Sequence, residues 1–303
     1  MQESPSLHDA ARLLEAFGWS LSTDPPSAGP EAAPAWTDQT GTLEVLRAGT
    51  GTPAAFLLRF FGEDFAWVEP EARRIRLCPE GGRLGPAAVV HLLADQVLPR
   101  ALAQEGRLVL HAGGVVLDGR AVLVLGDSGW GKSTLTARLG QAGGRVLSDD
   151  AMILEEAGAG ASARPVYAGL RLLPDSLAAL FDRTGGTPVA EYTDKARLAV
   201  EPPDDPGPVP LAMILVLRPP VPASRVELAR LSPLEACMAM LRNSFALDPG
   251  DRAQGARRLG RFGALAARVP AFALSYPRDY ALLAEVAEAV LRRLGSLDGP
   301  GPA

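Results

Sequence analysis

Ala121-Val-Leu-Val-Leu125, followed by Gly126-Asp127-Ser128-Gly129-Trp130-Gly131-Lys132-Ser133-Thr134, reads as a short apolar strand running into a glycine-rich turn. Five apolar residues in succession suit a strand covered on both faces. The turn fits Gly-x-x-x-x-Gly-Lys-[Ser/Thr] in full. Its glycines let backbone N–H groups turn inward around an anion, and the helix expected from about 133 to 141 aims its positive end at the same anion. In such a loop the lysine, Lys132, reaches the β- and γ-phosphates of a nucleotide, and the hydroxyl of Ser133 is a ligand for Mg²⁺. ATP and Mg²⁺ are therefore the expected cofactors, with residues 126–134 as the binding loop.

Moving outward, Gly143-Gly144 closes the helix, and 145–148 reads as the next strand, ending in Asp149-Asp150. Strand C-terminal ends in an α/β sheet face the ligand crevice, and successive residues point opposite ways. One carboxylate could then serve a metal and the other an acceptor hydroxyl. Upstream, 107–111 and 115–117 read as strands, and Asp118-Gly119 marks a two-residue hairpin. Downstream, 152–156 and 165–168 suggest a hairpin around Gly158-Ala-Gly160. A helix is expected over 174–183, a polar stretch carrying Gly185-Gly186 over 182–197, a proline-rich surface loop over 202–210 and a central strand over 211–217. After these come a strand (226–231), two helices (233–245 and 252–268), a strand (272–276) and a helix (280–294). Toward the N-terminus, 7–18 has helical periodicity, 23–34 reads as a linker, and four short strands (42–47, 54–61, 65–69, 73–77) precede a helix over 86–104 that Pro99 should bend or end early.

Composition narrows the function. The 303 residues are 47% hydrophobic and 21% charged, ample for a core, and the net charge of −5 argues against nucleic-acid binding. Two cysteines and three scattered histidines offer neither a disulfide framework nor a His/Cys metal site. No export signal and no apolar run long enough to span a bilayer is seen, so a cytoplasmic protein without a membrane partner is expected. A homo-oligomer is compatible with the composition. An LSGGQ-like segment, an Asn-Lys-x-Asp guanine signature and a strand ending in Asp-Glu are all missing, which counts against transporter ATPases, GTPase switches and common motor ATPases.

Of 30 basic residues 28 are arginine; the lysines are Lys132 and Lys195. Lysine is a compact point charge and arginine a planar fork. A lysine kept in so arginine-biased a chain marks Lys195 as a candidate functional residue.

Leu110-His111-Ala-Gly-Gly-Val-Val116, the hairpin, the 126–133 loop and Leu147-Ser-Asp149-Asp150 together resemble the catalytic domain of HPr kinase/phosphorylase and the wider group of HPr-kinase-like proteins. His111 stands 15 residues before Gly126 and Asp149 17 after Lys132, similar to the family's spacing. Weaker similarity continues through Gly169-Leu-Arg-Leu-Leu-Pro174, Asp194-Lys195-Ala-Arg197 and Tyr276-Pro-Arg278-Asp279, so the resemblance spans roughly 107–290. It implies an α/β fold: a P-loop kinase domain on a mixed sheet, of the type shared with phosphoenolpyruvate carboxykinase. It also implies transfer of the γ-phosphoryl group of ATP to a serine-type hydroxyl. Asp149 would be the metal-side carboxylate and Asp150 the base, or the reverse. His111 would lie near the phosphates or the acids, and Lys195 and Arg197 would offset charge on the transferred group. The stretch 164–171 lacks the Glu of the HPr-specific signature, so neither HPr as acceptor nor phosphorolysis is implied. The acceptor is an unidentified protein, peptide or small molecule. A nucleotide-binding regulator without transfer activity is the alternative. The expected organisation is an N-terminal α+β region over 1–104, as a substrate or partner module, a kinase domain over 105–294 and a flexible tail over 295–303.

Overall fold

A computed structural model describes residues 6–24, 34–38, 40–48, 54–78, 84–158, 160–183, 185–198, 207–219 and 225–297. The chain is a mixed α/β protein in two compact units. The first unit comprises Met1–Arg107 with two later segments, Pro188–Asp194 and Phe245–Ala256; the second holds the remainder. A cut at 104/105 therefore leaves two pieces of the first unit inside the expected kinase domain.

In the first unit, α1 (Leu7–Glu15) is started by a capping box between Ser6 and Asp9. Strands β1 (Ser20–Ser22), β2 (Pro34–Thr37), β3 (Leu43–Ala48), β4 (Ala55–Phe60), β5 (Glu63–Glu69) and β6 (Arg74–Leu77) form a sheet in the order β1-β6-β5-β4-β3-β2. Only β1–β6 is parallel. Trp19, Phe56, Phe65 and Ile75 are buried in this unit. The helix expected over 86–104 forms, but as α2 (Pro86–Leu92), a π-turn (Leu93–Val97) and α3 (Leu98–Gln104). Pro99 has no N–H to give an α-helical ladder. The ladder widens ahead of it, Leu98 bonding back to the Leu93 carbonyl, and the helix continues past it. Asp248, from the third segment, is buried and pairs with Arg47.

In the second unit the strands are β7 (Leu108–His111), β8 (Gly113–Leu117), β9 (Arg120–Leu125), β10 (Arg145–Ser148), β11 (Ala151–Ala157), β12 (Gly160–Pro165) and β13 (Leu170–Leu172). Then come β14 (Thr187–Ala190), β15 (Thr193–Leu198), β16 (Val209–Leu217), β17 (Glu227–Arg230) and β18 (Ala271–Ser275), the first two spanning the boundary into Pro188–Asp194. The helices are α4 (Lys132–Gln141), α5 (Pro174–Phe181), α6 (Pro233–Arg242), α7 (Arg252–Ala266, which begins in the first unit) and α8 (Leu283–Ser296). The main sheet runs β10-β8-β9-β16-β12-β11-β7, with β18 also pairing with β16 and β17. β9, β16 and β18 are mutually parallel at its centre. Alternation sends Val122 and Val124 to a layer with α4 and α8, and Ala121, Leu123 and Leu125 to a layer with α6 and α7. Both faces are covered, which is why β9 carries an unbroken apolar run.

Several expectations shift. The hairpin after Gly158 returns as β12 over Gly160–Pro165, not over 165–168; Pro165 cannot donate to a ladder and ends the strand. The polar stretch 182–197 contains β14 and β15, and β15 pairs antiparallel with β13. β16 begins at Val209, inside the expected proline loop, and α8 runs to Ser296, past the expected start of the tail. The expected linker over 23–34 and the remaining loop and tail residues lie largely outside the described residues. Among the described residues no helix is long and apolar enough to cross a membrane.

One close approach positions the site. β10 is antiparallel to β8 and β8 to β9, so β10 and β9 end at the same edge with β8 between them. At that edge β8 carries Gly113 and Gly114, paired with Val124 and Leu123. A Cβ on Gly113 would stand 2.1 Å from the Thr136 hydroxyl of α4. The missing side chain lets α4 lie directly on β8. Gly113→Ala should therefore destabilise the protein by about 1–3 kcal/mol, read as a lower urea midpoint. Gly255→Ala, in α7 with no atom within 4 Å of the added Cβ, should instead stabilise by up to about 1 kcal/mol through helix propensity.

Candidate functional site

The loop leaves β9 with Gly126 at φ 151°, Gly129 at 76° and Gly131 at 90°, the last being the N-cap of α4. These angles suit glycine and turn the backbone around one centre. Lys132 is buried, and its ammonium donates to the carbonyls of Gly126 (2.8 Å) and Asp127 (3.2 Å). Burial pushes its pKa down, opposed chiefly by the Asp150 carboxylate. Asp127, Ser128 and Gly129 are exposed, and Trp130 is half-buried. Two residues assigned no role from the sequence hold the loop. The Asn243 side chain accepts from the Gly126 N–H (3.3 Å), and Arg278 donates to the Gly129 carbonyl (3.0 Å). The Asn243 carbonyl accepts from the His111 N–H (2.7 Å), which ties β7 to the same point.

The acid pair arrives from the end of β10. Asp149 is buried, and the Ser133 hydroxyl is near enough to favour the ionised form of its carboxylate. Asp150 faces His111, whose Nε2 lies 3.2 Å from its Oδ1; the register that sets Ala151 opposite His111 places them so. Between the two acids stands Arg171, the main residue that sequence reasoning passed over. Its backbone N–H and guanidinium donate to Asp149 (3.2, 3.3 and 3.4 Å), and Nη2 donates to Asp150 (2.6 Å). A backbone bridge from Ser148 to Gly169 leads into β13 and delivers it there. Its guanidinium lies 5.4 Å from the centre of the Tyr167 ring, and the Tyr167 hydroxyl is enclosed without a hydrogen-bond partner. The available signal was a lone arginine between Leu170 and Leu172, where an unpaired charge would be costly.

Lys195 and Arg197 alternate with buried Ala196 and Leu198 along β15, so they share a face. Arg197 pairs in register with Arg171. The Lys195 ammonium is near enough to favour the ionised form of Asp149 and to disfavour that of Lys132. The Arg197 Nε is buried without a hydrogen-bond partner, and its charge only partly opposes the rise in the Tyr167 pKa that burial and the two acids cause. The structure thus gathers Lys132, Ser133, Asp149, Asp150, His111, Lys195 and Arg197 at one edge of the unit. Thr134 points away from the acids, its hydroxyl 3.0 Å from that of Ser176.

Among the described residues no three His, Cys, Asp or Glu side chains gather as a metal site. Ser133 and Asp149 together could supply two oxygens to a Mg²⁺ ion that keeps waters and takes phosphate oxygens for the rest.

No family model and no curated protein matches the chain. Among solved structures it is similar to the Hpr(Ser) kinase/phosphatase from Coxiella burnetii, at 14% identity over 63% of this chain and 99% of that one, with a TM-score of 0.34. At that distance, roles for individual residues have to come from the geometry above.

Burial, and next the Asp150 charge, raise the Asp149 pKa from 3.8 to about 7. Between those two values the folded protein holds a proton that the unfolded chain has released, so stability contributed by this group falls as pH rises through the window. Asp149→Asn, which cannot ionise, should melt above the parent at pH 8, by about 2–4 °C per kcal/mol relieved. The gap should narrow at pH 5 in paired calorimetric scans.

Proposed function

We propose that the protein is an ATP-dependent phosphotransferase that moves the γ-phosphoryl group to a serine-type hydroxyl of a protein, peptide or small molecule. The observation that carries the reading is the meeting of the glycine-rich loop and the paired-acid edge, since β9 and β10 end at the same edge of the sheet and the Asp150 carboxylate acts on the Lys132 ammonium. In-line transfer between a nucleotide and an acceptor requires such proximity. The sequence resemblance to HPr-kinase-like proteins points the same way.

In this reading the loop N–H groups and the start of α4 bind the phosphates. Lys132 exchanges its two carbonyl partners for β- and γ-phosphate oxygens. Ser133 and Asp149 hold Mg²⁺, which supplies charge neutralisation when bound. Asp150, oriented by His111 and Arg171, takes the proton as the acceptor oxygen bonds to γ-phosphorus and the β–γ bridging bond breaks to leave ADP. Lys195 and Arg197 offset negative charge on the moving group. The first unit would bind or present the acceptor.

A nucleotide-binding regulator without transfer would use the same loop. In its favour, Asp150 already accepts from Arg171 and faces His111, and a carboxylate so engaged is a weaker proton acceptor. Incubation with γ-labelled ATP and candidate acceptors encoded beside the gene separates the two readings: label on an acceptor is expected, and none on any acceptor favours the regulator.

Three substitutions test the assignments. Lys132→Ala should remove most phosphate-dependent ATP affinity in calorimetry. Asp150→Asn should abolish transfer while ATP affinity stays within a few-fold, because an amide cannot take the proton. Lys195→Arg should lower kcat on the order of 100-fold, since the bulkier fork displaces the charge by about 1 Å, with little change in ATP affinity. Wild-type kcat in that variant would remove Lys195 from the mechanism.

A further inference from the structure

The first unit presents a group of aromatic rings on its own surface. The β4–β5 hairpin turns on Phe61-Gly62, with Phe60 opposite Glu63, and both turn residues stand at positive φ, 55° and 81°. The chain builds the same two-residue turn at Asp118-Gly119, where a short polar side chain suits the left-handed conformation. A bulky aromatic does not suit it. Phe61 is nevertheless placed there and is 48% exposed, so neither backbone preference nor burial accounts for the residue. Strain of this kind, at a side chain that is presented rather than packed, points to a role on the surface.

A second turn, at Glu191-Tyr192 between β14 and β15, meets the first. The Tyr192 ring centre lies 5.1 Å from that of Phe61, with the planes at 49°, and 5.8 Å from that of His91, with the planes at 29°. His91 is set in turn by Asp95, buried in the π-turn, whose Oδ2 lies 2.5 Å from the His91 Nδ1. All of these residues belong to the first unit. Tyr192 is 38% exposed. The two turns, over 61–64 and 191–194, carry Glu63, Asp64, Glu191 and Asp194 and no basic residue. Asp64 accepts from Arg59 (2.7 Å), and the Glu191 carboxylate lies against Gly85 at the start of α2. Glu63, Glu191 and Asp194 are exposed.

We propose that this ring cluster is a docking site for an arginine-bearing segment of a partner polypeptide, with a guanidinium over the Phe61 and Tyr192 rings. Charge complementarity selects the occupant. Ring faces attract a planar cation, and the fringe of carboxylates neutralises it. An apolar partner would have to bury those acids unpaired, and an anionic one would be repelled. The inference goes beyond the phosphotransfer reading and stands apart from it, since it uses no residue of the glycine-rich loop or the acid edge.

The test is biolayer interferometry on the full chain at about 150 mM salt, where long-range attraction is screened. The probes are an immobilised peptide of alternating arginine and serine and its counterpart with glutamate for arginine. The arginine peptide should bind and the glutamate peptide should not. Phe61→Asn keeps every charge and suits the turn, so it should hold or raise the melting temperature while weakening the arginine peptide about fivefold, the size of one exposed cation–π contact. Tyr192→Leu should weaken it similarly, and Glu63→Gln with Glu191→Gln should weaken it and flatten its salt dependence. Undiminished binding in Phe61→Asn would mean that net charge alone attracts the peptide, and the ring site is wrong. An arginine peptide that binds no more tightly than the glutamate one, or does not bind, overturns the proposal equally. Self-association in sedimentation that Phe61→Asn abolishes would seat a second copy of the chain on the rings and overturn it in favour of that occupant.

Discussion

Two consecutive carboxylates, the first of them buried, cannot be left together without positive charge, and Arg171 supplies it. Its backbone N–H and its guanidinium reach Asp149, and one nitrogen reaches Asp150. The fork geometry of arginine suits this, because one planar group can satisfy two acceptors that a lysine could only approach in turn. Even so, burial and the neighbouring acid keep Asp149 hard to ionise. A cation bound beside Asp149 would favour its ionised form, so binding such an ion and ionising this acid are linked.

The remaining geometry follows from bringing a helix across a strand. The anion loop ends β9 and the acids end β10, but β8 lies between them in the sheet. Only a strand without a side chain at Gly113 lets α4 settle against β8, whereas a side chain on Gly114 would meet Met152 on the other face. Gly113 therefore positions the site although it bears no functional group.

Much of this was legible because it is local. The glycine loop, the Asp118-Gly119 turn, with both residues at positive φ, and the alternation along β9 are statements about neighbours in the chain. Arg171 was not, since its meaning depends on Asp149, 22 residues away, reached through a single backbone bridge outside any regular strand. Asn243 looks like any polar residue at a helix end; what it holds lies 117 residues earlier. Lys195 stands out by its rarity, but its strand does not, because charge and Gly185-Gly186 mask the alternation of Lys195 and Arg197 with Ala196 and Leu198. The hairpin after Gly158 reads as shifted in the sequence because Pro165 looks like the start of a strand that it ends.

The first unit is assembled from three separated stretches of chain, and synthesis is directional. A growing polypeptide emerges at about 5–20 residues per second, so the β-sheet of residues 20–77 is complete well before Val189, Ala190 and Asp248 exist. Until they do, Arg47 waits for its carboxylate, and Ala88 on α2 waits for the two small apolar side chains that cluster with it. Until those later segments are made, the first unit holds unsatisfied surface of the kind chaperones recognise.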